Sequence, residues 1–167
     1  MTAADARPPR IDVMLAVNGL RHAIEIDPCE LLVDTLRTRF GLTGTKRSCD
    51  MQVCGACTVL VDGAPVSACT YLTYEARDKT ILTIEGLARG EALHPLQRAF
   101  IDHAAFQCGF CTPGMILAAC ALLAEVPCPT GGEIAHYLRG NICRCTGYKK
   151  IVEAVQAAGA VLRGEGG

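Results

Sequence analysis

Three thiols stand within the stretch "CDMQVCGAC", at Cys49, Cys54 and Cys57, and Cys69 follows a short way on. Two more lie in "QCGFCTPG", at Cys108 and Cys111, and another two in "GNICRCTGY", at Cys143 and Cys145. Sulfur at these spacings can bridge into disulfides, bind metal or cycle as a dithiol. Disulfides persist in oxidising compartments, whereas the polar opening "MTAADARPPR" has no apolar segment of the kind a cleaved export signal needs. It reads as the frayed tail of a cytoplasmic protein. The eleven cysteines are also an odd number, which leaves one over, and close C-x-x-C pairs make poor staples. Metal is the favoured reading.

The C-x4-C-x2-C run with one remote cysteine has the plant-type spacing for a [2Fe–2S] cluster, in which a loop wraps one side and the distant Cys69 closes the other. Four thiolates and bridging sulfides make an anionic centre. The loop's backbone N–H groups must therefore turn inward, which small residues such as Gly55 and Ala56 permit. Zinc remains the rival, although structural zinc sites usually present two C-x-x-C knuckles, unlike the unequal spacing here. Lys46 and Arg47, just before the loop, read as a solvated face rather than as tuning charges. Cys108 with Cys111 (C-x-x-C) and Cys143 with Cys145 (C-x-C) fall at junctions of expected helices. A helical bundle would bring these pairs together at one end, facing the N-terminal N–H groups of the helix that starts at Thr112. By itself this second set suits zinc or a redox dithiol, and its company beside the first set tips it toward a second site.

The elements that must hold these loops change character midway. "IDVMLAV" and "RHAIEID" flank Asn18-Gly19 and Leu20 as a β-hairpin, because Asn and Gly tolerate the positive φ of its turn. "DPCELLVDTLRTRFG" predicts a helix with Asp27 as N-cap, Pro28 at the first helical position, Glu30 closing a capping box and Gly41 ending it. "CTVLVDGAPVSAC" predicts a second hairpin about Asp62-Gly63, and "TILTIEG" a last strand. From Glu91 onward the signals are helical. Pro95 opens one helix with Leu96, Ala99, Phe100 and His103 on one face, and Thr112 and Pro113 cap and open the next, which Pro127 and Pro129 close. "TGGE", Thr130 to Glu133, is a capping box for a third, and "YKKIVEAVQAAGAVLRG" is a final amphipathic one. The sum is an α+β chain, a small mixed sheet with a helix across it and then four helices, divided near Gly86 to Gly90.

Taken together, "GLTGTKRSCDMQVCGACTVLVDG", "QCGFCTPGMI" and "LRGNICRCTGYKKIVEAV" resemble the two-cluster iron–sulfur subunit of the molybdenum hydroxylases, the xanthine dehydrogenase, aldehyde oxidase and carbon monoxide dehydrogenase group. The resemblance runs from Ile11 to about Val161. It implies an N-terminal plant-ferredoxin-like β-grasp domain over 10–86, with Cys49, Cys54, Cys57 and Cys69 on a first [2Fe–2S] cluster. A C-terminal four-helix bundle domain over 91–163 would follow, with Cys108, Cys111, Cys143 and Cys145 on a second. It puts the second cluster nearer the molybdenum and the first nearer the flavin, with Gln107 where the family commonly contacts the pterin.

The same resemblance implies an electron-transfer subunit with no substrate site of its own. Its partners would be a large subunit holding molybdopterin, as the cytosine dinucleotide, and a medium subunit holding FAD, in a heterotrimer or a dimer of heterotrimers. The substrate would be a purine-like N-heteroaromatic or an aldehyde, hydroxylated with water; the alternatives are carbon monoxide and a 4-hydroxybenzoyl-CoA reduced rather than oxidised. One departure stands out: the loop reads "DMQV" between Cys49 and Cys54, where many relatives are richer in glycine. This would shift potential or solvent access and leave the ligands unchanged.

Other chemistries find little support. Sixteen basic and seventeen acidic residues leave a net charge near zero, without the basic run that nucleic acid requires. The longest apolar run, Met115 to Val126, falls short of the roughly 20 residues that span a bilayer. Cys29, Cys120 and Cys128 read as buried small hydrophobes, and His22, His94, His103 and His136 as packing residues rather than ligands.

Overall fold

Both expected hairpins form on two-residue turns whose residues have positive φ. Asn18 and Gly19 (50° and 83°) join β1 (Ile11–Val17) to β2 (Leu20–Ile26), and Asp62 and Gly63 (50° and 82°) join β3 (Thr58–Val61) to β4 (Ala64–Ser67). This twist matches that of the flanking strands, so each hairpin closes without splaying. The computed structural model describes residues 9–165, and the polar opening expected to fray lies, as far as residue 8, outside them. β5 (Thr80–Leu82) runs between the hairpins, parallel to β1 and antiparallel to β3, giving the sheet order β2-β1-β5-β3-β4. β5 is shorter than the expected strand. The Thr83 N–H turns away to Asn18 Oδ1 at 2.9 Å, and the chain continues as a single 3-10 turn over Ile84–Gly86.

Val13, Leu15 and Val17 alternate inward along β1 and meet Leu32, Val33 and Leu36 of the crossing helix, all buried. That helix departs from the reading at its start. Helical geometry begins only at α1 (Leu32–Asp34), which continues as a wider π-helical turn over Thr35–Arg39. Asp27 and Glu30 do make the expected local bonds, Cys29 N–H to Asp27 Oδ1 and Asp27 N–H to Glu30 Oε2. Yet Thr73 N–H donates to Glu30 O at 2.8 Å and Leu32 N–H to Tyr71 O at 2.8 Å, which holds Leu31 extended. Pairing with 71–73 outcompetes the capping signal. Glu30 instead takes a two-pronged bond from Arg39, at 2.7 and 2.6 Å, and a third from Thr35 Oγ1 at 2.6 Å.

The second core is helical. α2 (Pro95–Asp102), α3 (Thr112–Glu125), α4 (Gly131–Tyr137) and α5 (Lys149–Leu162) enclose Phe100, Met115, Ile134, Leu138, Ile151 and Val155, each nearly inaccessible to solvent. Burial of each such side chain stabilises by about 1.5–3 kcal/mol. The Thr130–Glu133 capping box is present, with Glu133 N–H donating to Thr130 Oγ1 at 3.3 Å. Cys111, one residue before the expected cap, is the N-cap of α3, and His103 caps the C-terminus of α2 instead of lying on its face. α3 also packs on β3, where Leu60, Leu117 and Ala121 join the two cores. Among the described residues no helix is long and apolar enough to cross a membrane.

Two of the three spare cysteines contradict the buried reading. Cys29 is exposed in the turn that precedes α1, and Cys128 is exposed where Pro127 and Pro129 keep the chain out of helix on the surface. Cys120, inside α3, is partly buried, and burial pushes its thiol up to about 12.

Candidate metal centres

The first thiol set hangs on the loop that enters β3. Asp50, Gln52 and Gly55 all have positive φ (55°, 60° and 67°), which folds the peptide planes so that successive N–H groups face inward. Cys54 N–H donates to Cys49 Sγ at 3.4 Å, and the N–H groups of Met51 and Val53 approach the same sulfur. Led by Met51, these amides draw the Cys49 thiol down to about 6. The loop thus does with Asp50 and Gln52 what glycine does more cheaply, since left-handed backbone costs an L-residue roughly 1–2 kcal/mol. Cys57 begins the turn into β3 and Cys69 follows β4, so the hairpin sets their thiols side by side. Burial, with Cys69 adjacent, pushes Cys57 up to about 12.

The second set gathers at the end of the helices. Cys108 Sγ and Cys145 Sγ are 3.7 Å apart, and Cys111, the N-cap of α3, meets Cys143. The positive end of the α3 dipole therefore lies beside this pair. Burial, then Cys143, pushes Cys111 up to about 12. Burial acts on Cys143 too, but hydrogen bonds from Thr146 outweigh it and hold that thiol below its ordinary value. All four sulfurs line a hollow of about 230 Å³ that Cys54 and Ala56 of the first loop also reach. Gln107 is exposed beside it, with Nε2 donating to Cys145 O at 3.0 Å.

This pairing tests what the thiols can hold. A tetrahedral zinc site draws four sulfurs to one point, each about 2.3 Å from the metal. Among the described residues no three His, Cys, Asp or Glu side chains converge in that way. The thiols meet two by two, Cys49 with Cys54, Cys57 with Cys69, Cys108 with Cys145 and Cys111 with Cys143. Two pairs per site fit a two-iron cluster, with one pair for each iron. A bound cation would deprotonate the raised thiols of Cys57, Cys111 and Cys145, as metal coordination does to any thiol.

The two sites touch through backbone. Ile142 N–H donates to Cys54 O at 2.9 Å, linking the residue beside Cys143 to a thiol-bearing residue of the first loop. Buried Asn141 donates from Nδ2 to Gly55 O at 3.0 Å and to Thr58 Oγ1 at 3.1 Å. Contact here is so close that a Cβ on Gly55 would lie 2.4 Å from Gly140 O, and one on Gly114 2.3 Å from Gly55 O. Sequence reasoning passed over Asn141, Gly114 and Thr146, although each stands within three residues of a cysteine of the second set. Arg47 is paired with Asp34 and Asp50, and Lys46 Nζ donates to Thr43 O at 2.8 Å, so neither points free charge at the thiols.

The chain matches two protein-family profiles, "2Fe-2S iron-sulfur cluster binding domain" over residues 39–103 and "[2Fe-2S] binding domain" over residues 83–156. It is 49% identical to the nicotine 6-hydroxylase small subunit of Paenarthrobacter nicotinovorans, over 87% of this chain and 88% of that protein. The nicotinate dehydrogenase small FeS subunit of Eubacterium barkeri is 47% identical over 89% of this chain and 95% of its own length. Among solved structures, quinoline 2-oxidoreductase from Pseudomonas putida 86 superposes with a TM-score of 0.88 at 43% identity, covering 95% of this chain and 99% of the matched one. The aldehyde oxidoreductase from Desulfovibrio gigas superposes with a TM-score of 0.89 at 42% identity, covering 93% of this chain but 17% of that one.

Proposed function

We propose that this chain, which belongs to the 2Fe–2S subunits of the molybdenum hydroxylase family, carries electrons one at a time from a molybdenum centre on a larger partner to a flavin on another. That it is an electron-transfer subunit of an oxidoreductase follows from its relatives; the route and the ligands are our reading. Cys49, Cys54, Cys57 and Cys69 hold the first cluster, and Cys108, Cys111, Cys143 and Cys145 the second. The first belongs to a β-grasp domain over 10–86 and the second to a four-helix domain over 91–163. When bound, each cluster supplies a one-electron carrier whose potential follows from its ligands, the hydrogen bonds to sulfur and burial. The protein's task is to hold the two close and fixed. The observation that carries the proposal is the pairwise meeting of thiols in two sites that share the Ile142–Cys54 hydrogen bond.

The second site faces the molybdenum partner. Phe110, Ile142 and Phe106 are exposed around or near its thiols, an apolar rim that suits a permanent interface. Gln107, braced on Cys145 O, keeps its Oε1 free for the pterin of a molybdopterin cytosine dinucleotide. The flavin is FAD on a medium subunit, and the assembly is a cytoplasmic heterotrimer or a dimer of heterotrimers. In the D. gigas relative the matched region is a minor part of a much longer chain, which supports a large companion for this one. Relatives named for nicotine, nicotinate and quinoline support an N-heteroaromatic substrate and relatives named for aldehydes support an aldehyde, in either case hydroxylated with water on the large subunit.

The test is iron and acid-labile sulfide analysis of the complex, with electron paramagnetic resonance after dithionite reduction. Two distinct [2Fe–2S] signals from this chain beside a molybdenum signal are expected. A colourless complex with zinc in place of iron would overturn the ligand assignment.

A further inference from the structure

The two thiol sets differ in what donates hydrogen bonds to sulfur. In the first, Cys49 Sγ is wrapped by backbone N–H groups, which no side-chain replacement removes. In the second, backbone N–H groups of Thr146 and Cys145 also reach Cys143, and a side chain joins them: Thr146 Oγ1 lies 3.1 Å from Cys143 Sγ. The direction of that bond is settled locally. Gly147 and Tyr148 both have positive φ, 65° and 66°, and fold the chain back so that Tyr148 N–H donates to Thr146 Oγ1 at 3.3 Å. A cysteine sulfur that binds metal carries no hydrogen, so the hydroxyl can only donate to it while its lone pair accepts from Tyr148. The Tyr148 hydroxyl in turn accepts from Cys143 N–H at 2.8 Å, which pins the cysteine backbone beneath the contact. The loop "CRCTGY" is thus built to aim one hydroxyl at one sulfur.

We infer that Thr146 sets the reduction potential of the second cluster, holding it above the value the four thiolates alone would give. The inference rests on the proposed ligand set. Reduction adds one electron, and part of that charge falls on the cysteine sulfurs. A donor at sulfur stabilises the more negative, reduced form more than the oxidised one, and so raises the potential. No proton is transferred; the hydroxyl keeps its hydrogen in both states. Because the donor is a side chain, the potential of one cluster can be adjusted without touching the other.

The experiment is a potentiometric titration of the intact complex, followed by the resonance signals of the two clusters, in wild type, Thr146→Val, Thr146→Ala and Thr146→Ser. The expected result is a lower midpoint for the second cluster in the Val and Ala variants, restoration by Ser, and an unmoved first cluster in all of them. An unmoved second-cluster midpoint in a variant that loads its iron overturns the inference. If both Val and Ala lose the second cluster while Ser keeps it, the hydroxyl serves assembly rather than potential, and the inference also falls. Cys143→Ser separates this failure from that of the ligand reading: if the second signal survives there unaltered, the ligand assignment itself is wrong.

Discussion

Replacing Asn141 by Ala tests whether the contact between the two thiol sites is held by this side chain. Asn141 is 7% exposed and gives Nδ2 to Gly55 O at 3.0 Å and to Thr58 Oγ1 at 3.1 Å. Gly55 O keeps a second donor, Thr58 Oγ1 at 2.8 Å, so no carbonyl is left bare. At about 1 kcal/mol for each net hydrogen bond, the substitution costs the contact about 2 kcal/mol. That corresponds to roughly a 30-fold shift in any equilibrium that opens the contact. The amide to watch is Ile142 N–H, bonded to Cys54 O, because it is freed only when the two loops part. Hydrogen exchange on the loaded complex is expected to show Ile142 exchanging about 30-fold faster in Asn141→Ala. The amide of Ala158, buried in α5, should be unchanged. An unaltered Ile142, or equal acceleration at Ala158, would refute the reasoning: the first would mean that Asn141 bears no load, the second that the whole helical core loosens together.

Cys111→Ser is expected to halve the iron content and erase the second-cluster signal while the first remains, since the ligand sets occupy different elements; loss of both signals would show that they load as one unit. Gly114→Ala should lower the thermal midpoint of the complex and alter the magnetic interaction of the reduced clusters. Ala favours a helix by about 1 kcal/mol over Gly, but its Cβ would sit 2.3 Å from Gly55 O, and a raised midpoint would contradict this contact. Glu30→Gln should lower the midpoint at neutral pH. Burial alone would raise the Glu30 pKa, but the bonds from Arg39 and Thr35 outweigh it and hold it below the ordinary carboxylate value. Its contribution is therefore present above the unfolded value of about 4.3 and lost as pH falls through the lower folded value. The gap between wild type and Glu30→Gln, followed by circular dichroism, should be constant from neutrality to about pH 5 and close below it; a gap that widens on acidification would reverse the sign.

Much of this protein is local and was legible as such. Asn18-Gly19 and Asp62-Gly63 determine their turns because few residue pairs accept two positive φ angles in succession, and Thr130 with Glu133 determines a helix start by bonds within four residues. The thiol spacings keep Cys49, Cys54 and Cys57 together, Cys108 beside Cys111 and Cys143 beside Cys145, since loops this short cannot carry the cysteines apart. Where a distant segment competes, the local signal gave way. Asp27 and Pro28 carry every mark of a helix start, yet α1 waits until Leu32 because Tyr71 and Thr73 bind the intervening backbone. Cys29 and Cys128 are exposed for a local reason, as turn and proline geometry outweighs the preference of a free thiol for the interior. Only the tertiary structure decided which thiols pair, that Asn141 and Gly114 lock one site against the other, and that Thr146 aims a hydroxyl at Cys143. Spacing along a chain says which sulfurs can be near; the direction of a hydrogen bond or the 2.3 Å clearance at Gly114 depends on how two separately folded surfaces meet.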